Sequence, residues 1–242
     1  FIRKDPPFDN MYLMTTLLLE RVRGRTLLVN DPRGLREANE KLYTLNFSRW
    51  MPRTIVTSHE DVIFDFVREI GGVGVIKPLD LAGGSGVMML RPDDKNARAI
   101  VQLLSGEGTR LVMVQEFIPD VVKGDKRVLV LGGQILGAIN RVPRSDDLRS
   151  NIHVGGSVEP YEVTDIERAI VADVAPRLLA DGLVFVGLDV IDGKLTEVNV
   201  TSPTGIQQMS QHHGRDLAVD VIQWVERKTE DFRPDLKSIP GY

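Results

Sequence analysis

Apolar residues recur at helical spacing in several parts of the chain. After Asp31, which can cap a helix, Leu35, Ala38, Leu42 and Leu45 follow at three- and four-residue intervals, and a proline occupies the first helical position. This pattern predicts one continuous helix from residue 31 to residue 45. The same spacing predicts further helices over residues 60–69, 97–104, 165–179 and 217–227.

Short apolar runs bounded by turn residues predict strands between these helices. Gly132 and Gly133 separate two such runs and indicate a hairpin, whereas residues 143–158 are polar, follow neither spacing and predict a long loop. Hairpins mixed with helices, without a regular strand–helix alternation, favour an α+β fold with antiparallel sheets over a dinucleotide-binding fold. The predicted strands cover residues 54–57, 73–77, 87–90, 111–115, 127–131, 135–141, 183–191 and 195–200.

Composition narrows the class of protein. The 242 residues, 42% of them apolar, can bury a sizeable core in one large domain or two subdomains. A net charge of −4 without a basic run argues against binding nucleic acid, and the absence of cysteine excludes disulfides, thiolate metal sites and cysteine nucleophiles. No apolar stretch approaches the roughly 20 residues that span a bilayer. We therefore expect a cytoplasmic protein without membrane contact.

A glycine-rich segment is the first candidate for chemistry. The predicted strand ending at Lys77 leads directly into the sequence PLDLAGGSG, which predicts a turn between two strands. Glycines allow successive backbone N–H groups to converge on an anion, and a lysine adds a positive charge, so the segment is suited to phosphate binding. An ordinary glycine hairpin is the alternative, because the sequence matches neither of the common nucleotide-loop patterns.

An acidic hairpin is the second candidate. Asp189 lies in one predicted strand and Glu197 and Asn199 in the next, with Asp192-Gly193 between the strands. A three-residue turn with a bulge would place all three side chains on one face, whereas a two-residue turn would put Asp189 on the opposite face. Carboxylates facing an apolar interior indicate oxygen ligation of Mg²⁺, and the alternative is a polar edge facing solvent.

Four cations in extended segments complete the candidates: Lys41, Arg127, Arg141 and Arg149. Each alone is typical of a solvated surface. Together with Lys77 and the carboxylates, however, they supply what phosphoryl transfer needs, which is cations on a triphosphate and a metal bridging its oxygens. The four histidines lack the spacing of metal ligands and receive no role.

The segments RKDPPFD, NEKLYT, IKPLD, GDKRVLV, GLDVI and TEVNVTSPTG occur in this order over nearly the whole chain. Together they resemble the bacterial glutathione synthetases of the ATP-grasp superfamily. The resemblance implies an ATP-grasp fold, in which two α/β subdomains with antiparallel sheets grip ATP between them. The implied parts are the end of a substrate region and a linker (1–40), the N-subdomain (41–118) and the C-subdomain (119–242), the last with a lid loop (143–158) and a metal-binding hairpin (184–200).

The resemblance also implies roles for individual residues. Lys41 and Lys77 would contact ATP phosphates, and Asp125 would lie near the ribose. The phosphate loop would comprise Gly83, Gly84, Ser85 and Gly86, and the adenine-binding connection Gln115, Glu116, Phe117 and Ile118. Asp189, Glu197 and Asn199 would hold Mg²⁺ or Mn²⁺. The catalytic arginines would be Arg127, Arg141 and Arg149, and the substrate region Arg3, Asp5, Asn151, Ser202, Pro203, Thr204 and Gly205.

The implied reaction is ATP-dependent joining of γ-glutamylcysteine to glycine through an acyl phosphate, with no protein nucleophile. Because the chain begins at Phe1, we expect a preceding domain, and a homo-oligomer when that domain is present. Leu81-Ala82 and Ser157 depart from the family's glycine and arginine at those positions. The alternatives are another ATP-grasp ligase acting on a different carboxylate, or a nucleotide-binding module that catalyses no ligation.

Overall fold

The computed structural model describes residues 1–4, 8–144 and 156–231. Its helices are α1 (Asn10–Glu20), α2 (Pro32–Glu37), α3 (Glu60–Glu69), α4 (Ala97–Ser105), α5 (Asp165–Ala180), α6 (Ile206–His213) and α7 (Leu217–Asp231), with 3₁₀ helices at Leu42–Trp50 and Pro119–Lys123. Its strands are β1 (Thr54–Thr57), β2 (Gly74–Pro78), β3 (Met88–Leu90), β4 (Val112–Glu116), β5 (Asp125–Leu131), β6 (Gln134–Val142), β7 (Ser157–Pro160), β8 (Phe185–Ile191) and β9 (Lys194–Asn199).

The first sheet has the strand order β1-β4-β2-β3, and every neighbouring pair is antiparallel. Helix α3 begins with two acidic residues and ends near Arg68, which complements its dipole. Its apolar residues Ile63 and Val67 pack with Val101 of α4 against Ile76 and Val114 of the sheet. This small core positions β2, the strand that carries Lys77.

The second sheet has the order β7-β6-β5-β8-β9, again antiparallel throughout. Side chains alternate between its two faces. One face packs against α5 and the segment that follows α2, and the opposite face packs against α6 and α7. Arg127 and Asp189 lie on the face covered by α6 and α7, at the end of an apolar row that includes Leu129 and Phe185.

The prediction of an α+β fold with antiparallel sheets is confirmed, and the predicted strands lie within a few residues of the observed ones. The continuous helix over residues 31–45 was wrong. Helix α2 ends at Glu37, because Ala38 is not helical and the Asn39 side chain accepts hydrogen bonds from the backbone N–H groups of Lys41 and Leu42. Such local bonds compete with the helical ladder. A 3₁₀ helix follows instead.

The pattern also missed three elements. Helix α1 lacks a helical apolar stripe, since it is apolar on most sides, and α6 reads IQQMSQHH, which is mostly polar. Strand β7 occupies residues 157–160, at the end of the predicted loop 143–158, and pairs with β6. Of that loop, residues 145–155 lie outside the described residues.

Asn30 joins the N-terminal segment to the second sheet. Its side chain is 3% exposed, and its amide nitrogen donates to the carbonyl oxygens of Phe185 (2.8 Å) and Val200 (2.7 Å). Its oxygen accepts from the backbone nitrogens of Val184 (2.8 Å) and Phe185 (2.7 Å). One buried side chain thus satisfies backbone groups at the ends of two neighbouring strands.

We expect Asn30→Ala to lower the free energy of unfolding by about 3 kcal/mol, because it leaves several buried backbone groups without partners. Urea unfolding followed by circular dichroism measures this loss. Asn46→Ala is the matched control, since the exposed Asn46 makes one bond, to the Tyr43 carbonyl. Equal stability of the two variants would contradict the role of Asn30.

Candidate active site

The acidic hairpin combines features of both interpretations that the sequence left open. The turn has two residues, Asp192 and Gly193, both with positive φ (47° and 70°), as the hairpin turn of type I′ requires. Thr196 then forms a bulge, in which its backbone has no pairing partner on β8. Asp189 therefore pairs with Glu197, and Gly187 pairs with Asn199. Asp189, Glu197 and Asn199 therefore share one face, although the turn is the shorter one.

Asp189 is buried and is held by two arginines from neighbouring strands. Arg127 donates through Nε to Oδ1 (2.5 Å) and through Nη2 to Oδ2 (3.0 Å), a bidentate pair. Arg141 Nη2 lies 3.1 Å from Oδ2 and also pairs with Asp125, while Asn199 Nδ2 donates to Oδ2 at 3.1 Å. Both carboxylate oxygens of Asp189 thus have partners.

The charge state of Asp189 follows from these contacts. Burial alone would favour the neutral acid, but the two guanidinium groups outweigh it and lower the pKa of Asp189 to about 2. Asp189 is therefore a carboxylate at neutral pH. Its charge compensates the two buried arginines, which would otherwise repel each other.

Lys41 lies at a second cluster beside this one. Its Nζ contacts Glu40 Oε1 at 2.5 Å, donates to the Leu81 carbonyl at 2.7 Å and lies 3.9 Å from Glu197 Oε1. Burial disfavours the Lys41 charge, but Glu197 and Glu40 outweigh burial and raise its pKa. The sequence analysis missed Glu40; its position next to Lys41 was a signal, but sequence cannot show that it pairs with its neighbour.

Lys77 differs from Lys41 because its ammonium makes no hydrogen bond or ion pair with the described residues. The side chain is only 8% exposed. Burial lowers the pKa of Lys77, and the nearby Glu197 offsets this only in part. Burial and the charge of Glu40 in turn raise the pKa of Glu197. The buried ammonium of Lys77 is therefore only partly compensated by the charges around it.

The glycine-rich loop begins directly after Lys77 and Pro78. Gly83, Gly84 and Gly86 have positive φ, which L side chains adopt only with strain. A Cβ on Gly86 would lie 2.7 Å from Pro78 Cγ, so the loop folds tightly back on its own strand. Ser85 donates its backbone N–H to the Ala82 carbonyl.

The predicted adenine segment begins at the end of β4. Gln115 is buried and its side-chain nitrogen donates to Thr54 Oγ1 (3.2 Å), while Glu116 donates its backbone N–H to the Arg53 carbonyl and Phe117 to the Val73 carbonyl. Ile118 precedes the 3₁₀ helix that leads to Asp125. The segment therefore connects the two sheets.

The predicted substrate residues lie near the arginines. Arg3 Nη2 donates to the Pro203 carbonyl (2.9 Å) and to Ser202 Oγ (3.4 Å), and Arg127 Nη1 donates to the Thr204 carbonyl (3.3 Å). Gly205 has a φ of 113° and starts α6. Asp5, Arg149 and Asn151 lie outside the described residues, so their placement stays a prediction.

Two absences hold for the part of the chain that the structure describes. None of the helices there is both long and apolar enough to cross a membrane. In the same residues, no group of three or more acidic or histidine side chains is arranged around a common metal position. The predicted metal ligands are the carboxylates of Asp189 and Glu197 and the amide of Asn199, so they include only two acidic side chains.

The fold is similar to those of several solved structures. The chain superposes on a crystal structure of the D-cycloserine synthetase DcsG with a TM-score of 0.68 and 18% identity, covering 90% of this chain and 80% of that one. A D-alanine–D-alanine ligase from Bacillus anthracis, complexed with ATP, gives 0.59 and 16% identity over 84% and 70% of the two chains. This fold, together with the ATP-grasp family model that matches residues 40–214, defines an ATP-grasp protein.

Sequence relatives define the family more closely. The model for the prokaryotic glutathione synthetase ATP-grasp domain matches residues 40–214, and the model for the N-terminal domain of the same enzymes matches residues 1–36. A glutathione synthetase from Nostoc sp. is 46% identical over 231 residues, covering 95% of this chain and 71% of that protein. One from Gloeobacter violaceus is 46% identical, covering 98% and 74%. The chain belongs to the prokaryotic glutathione synthetase family.

We expect Lys77→Met to abolish the stabilisation that Mg·ATP gives while leaving the nucleotide-free protein as stable or more stable, because the substitution removes a buried charge without a partner. Thermal melts with and without Mg·ATP measure both quantities. Lys95→Met, at an exposed site, is the control and should keep the nucleotide response. A full Mg·ATP response in Lys77→Met would refute a phosphate-binding role for this lysine.

Proposed function

We propose that this chain carries the site at which γ-glutamylcysteine and glycine are joined to form glutathione, with ATP converted to ADP and phosphate. The observation that supports it most is the ammonium of Lys77, which has no hydrogen-bond or ion-pair partner among the described residues and lies next to a glycine loop, in a chain of this family. The γ-phosphoryl group would pass to the carboxylate of γ-glutamylcysteine. The glycine amine then attacks the carbonyl carbon, the C–N bond forms, phosphate leaves and the amine loses a proton.

The two lysines have different parts in this proposal. Among the described residues Lys77 has no hydrogen-bond or ion-pair partner to give up, so an ATP phosphate would supply the counter-charge that Glu197 provides only in part. Lys41 must exchange its contacts with Glu40 and the Leu81 carbonyl for a phosphate oxygen. The amides of Gly83 to Gly86 would close over the phosphates, and residues 115–118 would hold the adenine, with Asp125 near the ribose.

The oxygens of Glu197 and Asn199 fit a hard divalent cation, because both side chains leave the same face of β9 close to the lysines. Asp189 fits only after rearrangement, since its oxygens are occupied by Arg127 and Arg141. We propose that Asp189 joins Glu197 and Asn199 when an arginine turns toward the substrate. A bound Mg²⁺ or Mn²⁺ would offset the charge of the phosphate oxygens.

Arg127 and Arg141 would stabilise the acyl phosphate. Its negative charge would replace that of Asp189, which both arginines contact in this structure. Arg149 and Asn151, and the lid at 143–158, are assigned to this step from the family resemblance. Arg3, Asp5 and residues 202–205 would bind the substrate. We also propose that the protein is cytoplasmic and forms a homo-oligomer.

ATP-dependent phosphate release, measured with γ-glutamylcysteine and glycine each omitted in turn, tests the proposal. We expect release that requires both acceptors, on this chain or on a longer form that includes any preceding domain. Release with other carboxylates but not with γ-glutamylcysteine would favour another ATP-grasp ligase. Stabilisation by Mg·ATP without any acceptor-dependent release would instead favour a binding module.

Glu197→Gln should reduce acceptor-dependent phosphate release by roughly 100-fold or more, because it removes an anionic ligand for the metal. Folding should be unaffected, since burial and the charge of Glu40 already raise the pKa of Glu197 and make its charge costly. Turnover and urea unfolding are measured on the same samples. Glu162→Gln, at an exposed position, serves as the control, and near-normal turnover in Glu197→Gln would remove the metal assignment.

A further inference from the structure

Asn39 lies between α2 and the 3₁₀ helix that begins at Leu42, and its side chain makes hydrogen bonds in two directions. Its oxygen accepts from the backbone N–H groups of Lys41 and Leu42, both at 3.0 Å. Its nitrogen donates to the carbonyl oxygen of Leu79 at 2.8 Å, directly after β2. One side chain therefore shapes the backbone that carries Lys41 and also contacts the first residue of the glycine loop.

The segment that contains Asn39 is attached to the second sheet. The carbonyl oxygen of Glu40 accepts from the backbone N–H of Val198 at 2.9 Å, on β9, the strand that carries two of the predicted metal ligands. Leu79, in contrast, follows β2 of the first sheet. The hydrogen bond from Asn39 to Leu79 therefore links a segment bonded to one sheet with a loop that leaves the other.

Lys41 makes a second bond across the same boundary, because its Nζ donates to the carbonyl oxygen of Leu81 at 2.7 Å. The two side chains thus hold alternate carbonyl groups, those of Leu79 and Leu81, at the start of the glycine loop. In the reaction proposed above, Lys41 gives up its bond to Leu81 for a phosphate oxygen. Of these two bonds, that of Asn39 would then remain, while the glycines further along allow the rest of the loop to move.

We propose that Asn39 is a positioning residue for ATP, which keeps the start of the glycine loop beside Lys41 while Lys41 changes partners. The inference rests on the phosphate-binding role of Lys41 and of the loop proposed above. Asn39 acts through Lys41 and Leu79 rather than by touching ATP. Its loss should therefore raise the KM for ATP more than it lowers kcat, because at saturating ATP the phosphates themselves hold the loop.

Asn39→Ser removes the bond to Leu79 without adding a charge. A serine hydroxyl can still accept from backbone N–H groups two or three residues later, but it is too short to reach Leu79. We expect the KM for ATP to rise about fivefold, the effect of one hydrogen bond, and kcat to fall less than twofold. Phosphate release at varied ATP, with both acceptors saturating, measures the two constants.

Asn39→Asp is the complementary variant, because it keeps the oxygen that accepts from Lys41 and Leu42 and replaces the donor that faces Leu79. It should raise the KM for ATP at least as much as Asn39→Ser does. Asn46→Ser is the matched control, since the exposed Asn46 donates only to the Tyr43 carbonyl, and both constants should stay unchanged. A higher KM in Asn39→Asp alone would assign the effect to the added charge and overturn the proposal.

Binding of Mg·AMPPNP, a non-hydrolysable ATP analogue, gives a readout that needs no ligation. By calorimetry, Asn39→Ser should bind it about fivefold more weakly than the original chain does. Hydrogen exchange of residues 79–87 should slow when the analogue binds to the original chain, and slow less in Asn39→Ser at equal occupancy. The melting temperature without nucleotide should stay within about 4 °C of the original.

Unchanged analogue affinity and unchanged loop exchange in Asn39→Ser would overturn the proposal. A melting temperature lowered by more than this, with faster exchange throughout the protein, would also overturn it, because Asn39 would then only stabilise the fold. Absence of ligase activity in the original chain, with the expected analogue affinities and loop exchange in the variants, would affect only the proposed function.

Discussion

The buried ion cluster of Arg127, Asp189 and Arg141 is the interaction on which the site depends. It joins three adjacent strands, β6, β5 and β8, and Asn199 extends it to β9. Charges at this depth are tolerated only when each has a partner, so the positions of the four side chains are mutually fixed. The apolar row beneath α6 and α7 ends where this cluster begins, and the rest of the site is arranged around that boundary.

Lys77 is the counterpart of that cluster in the other sheet. Asp189 compensates the arginines, whereas Glu197 compensates the charge of Lys77 only in part. Glu197 is close to both groups, because its carboxylate interacts with Lys77 and with Arg141, and it also lies 3.9 Å from Lys41 Nζ. An anionic ligand is therefore favoured beside Lys77, whose charge is the less fully compensated of the two.

The elements that depend on a local pattern of residues could be predicted from the sequence. The strands, the hairpin at Gly132-Gly133 and the glycine loop follow from apolar alternation and turn residues. The helix predicted over residues 31–45 does not form, because the Asn39 side chain accepts hydrogen bonds from the backbone N–H groups of Lys41 and Leu42. Apolar spacing does not show such bonds. The pairings of Lys41 with Glu40 and of Arg127 with Asp189 depend on tertiary packing. No periodicity in the chain encodes them.

The bulge at Thr196 has a consequence for length variation among related chains. Leu195, Val198 and Val200 all belong to the core beneath α5, and strict alternation could not place Leu195 on their side without the extra residue. Loss of Thr196 would therefore straighten β9 while leaving Glu197 opposite Asp189. A gap at this position between two aligned sequences would keep the pairing and remove only the hydrogen bond from Thr196 Oγ1 to the Asp189 carbonyl. A gap at Val198 that kept the bulge would instead bring Asn199 opposite Leu188, on the other face of the sheet.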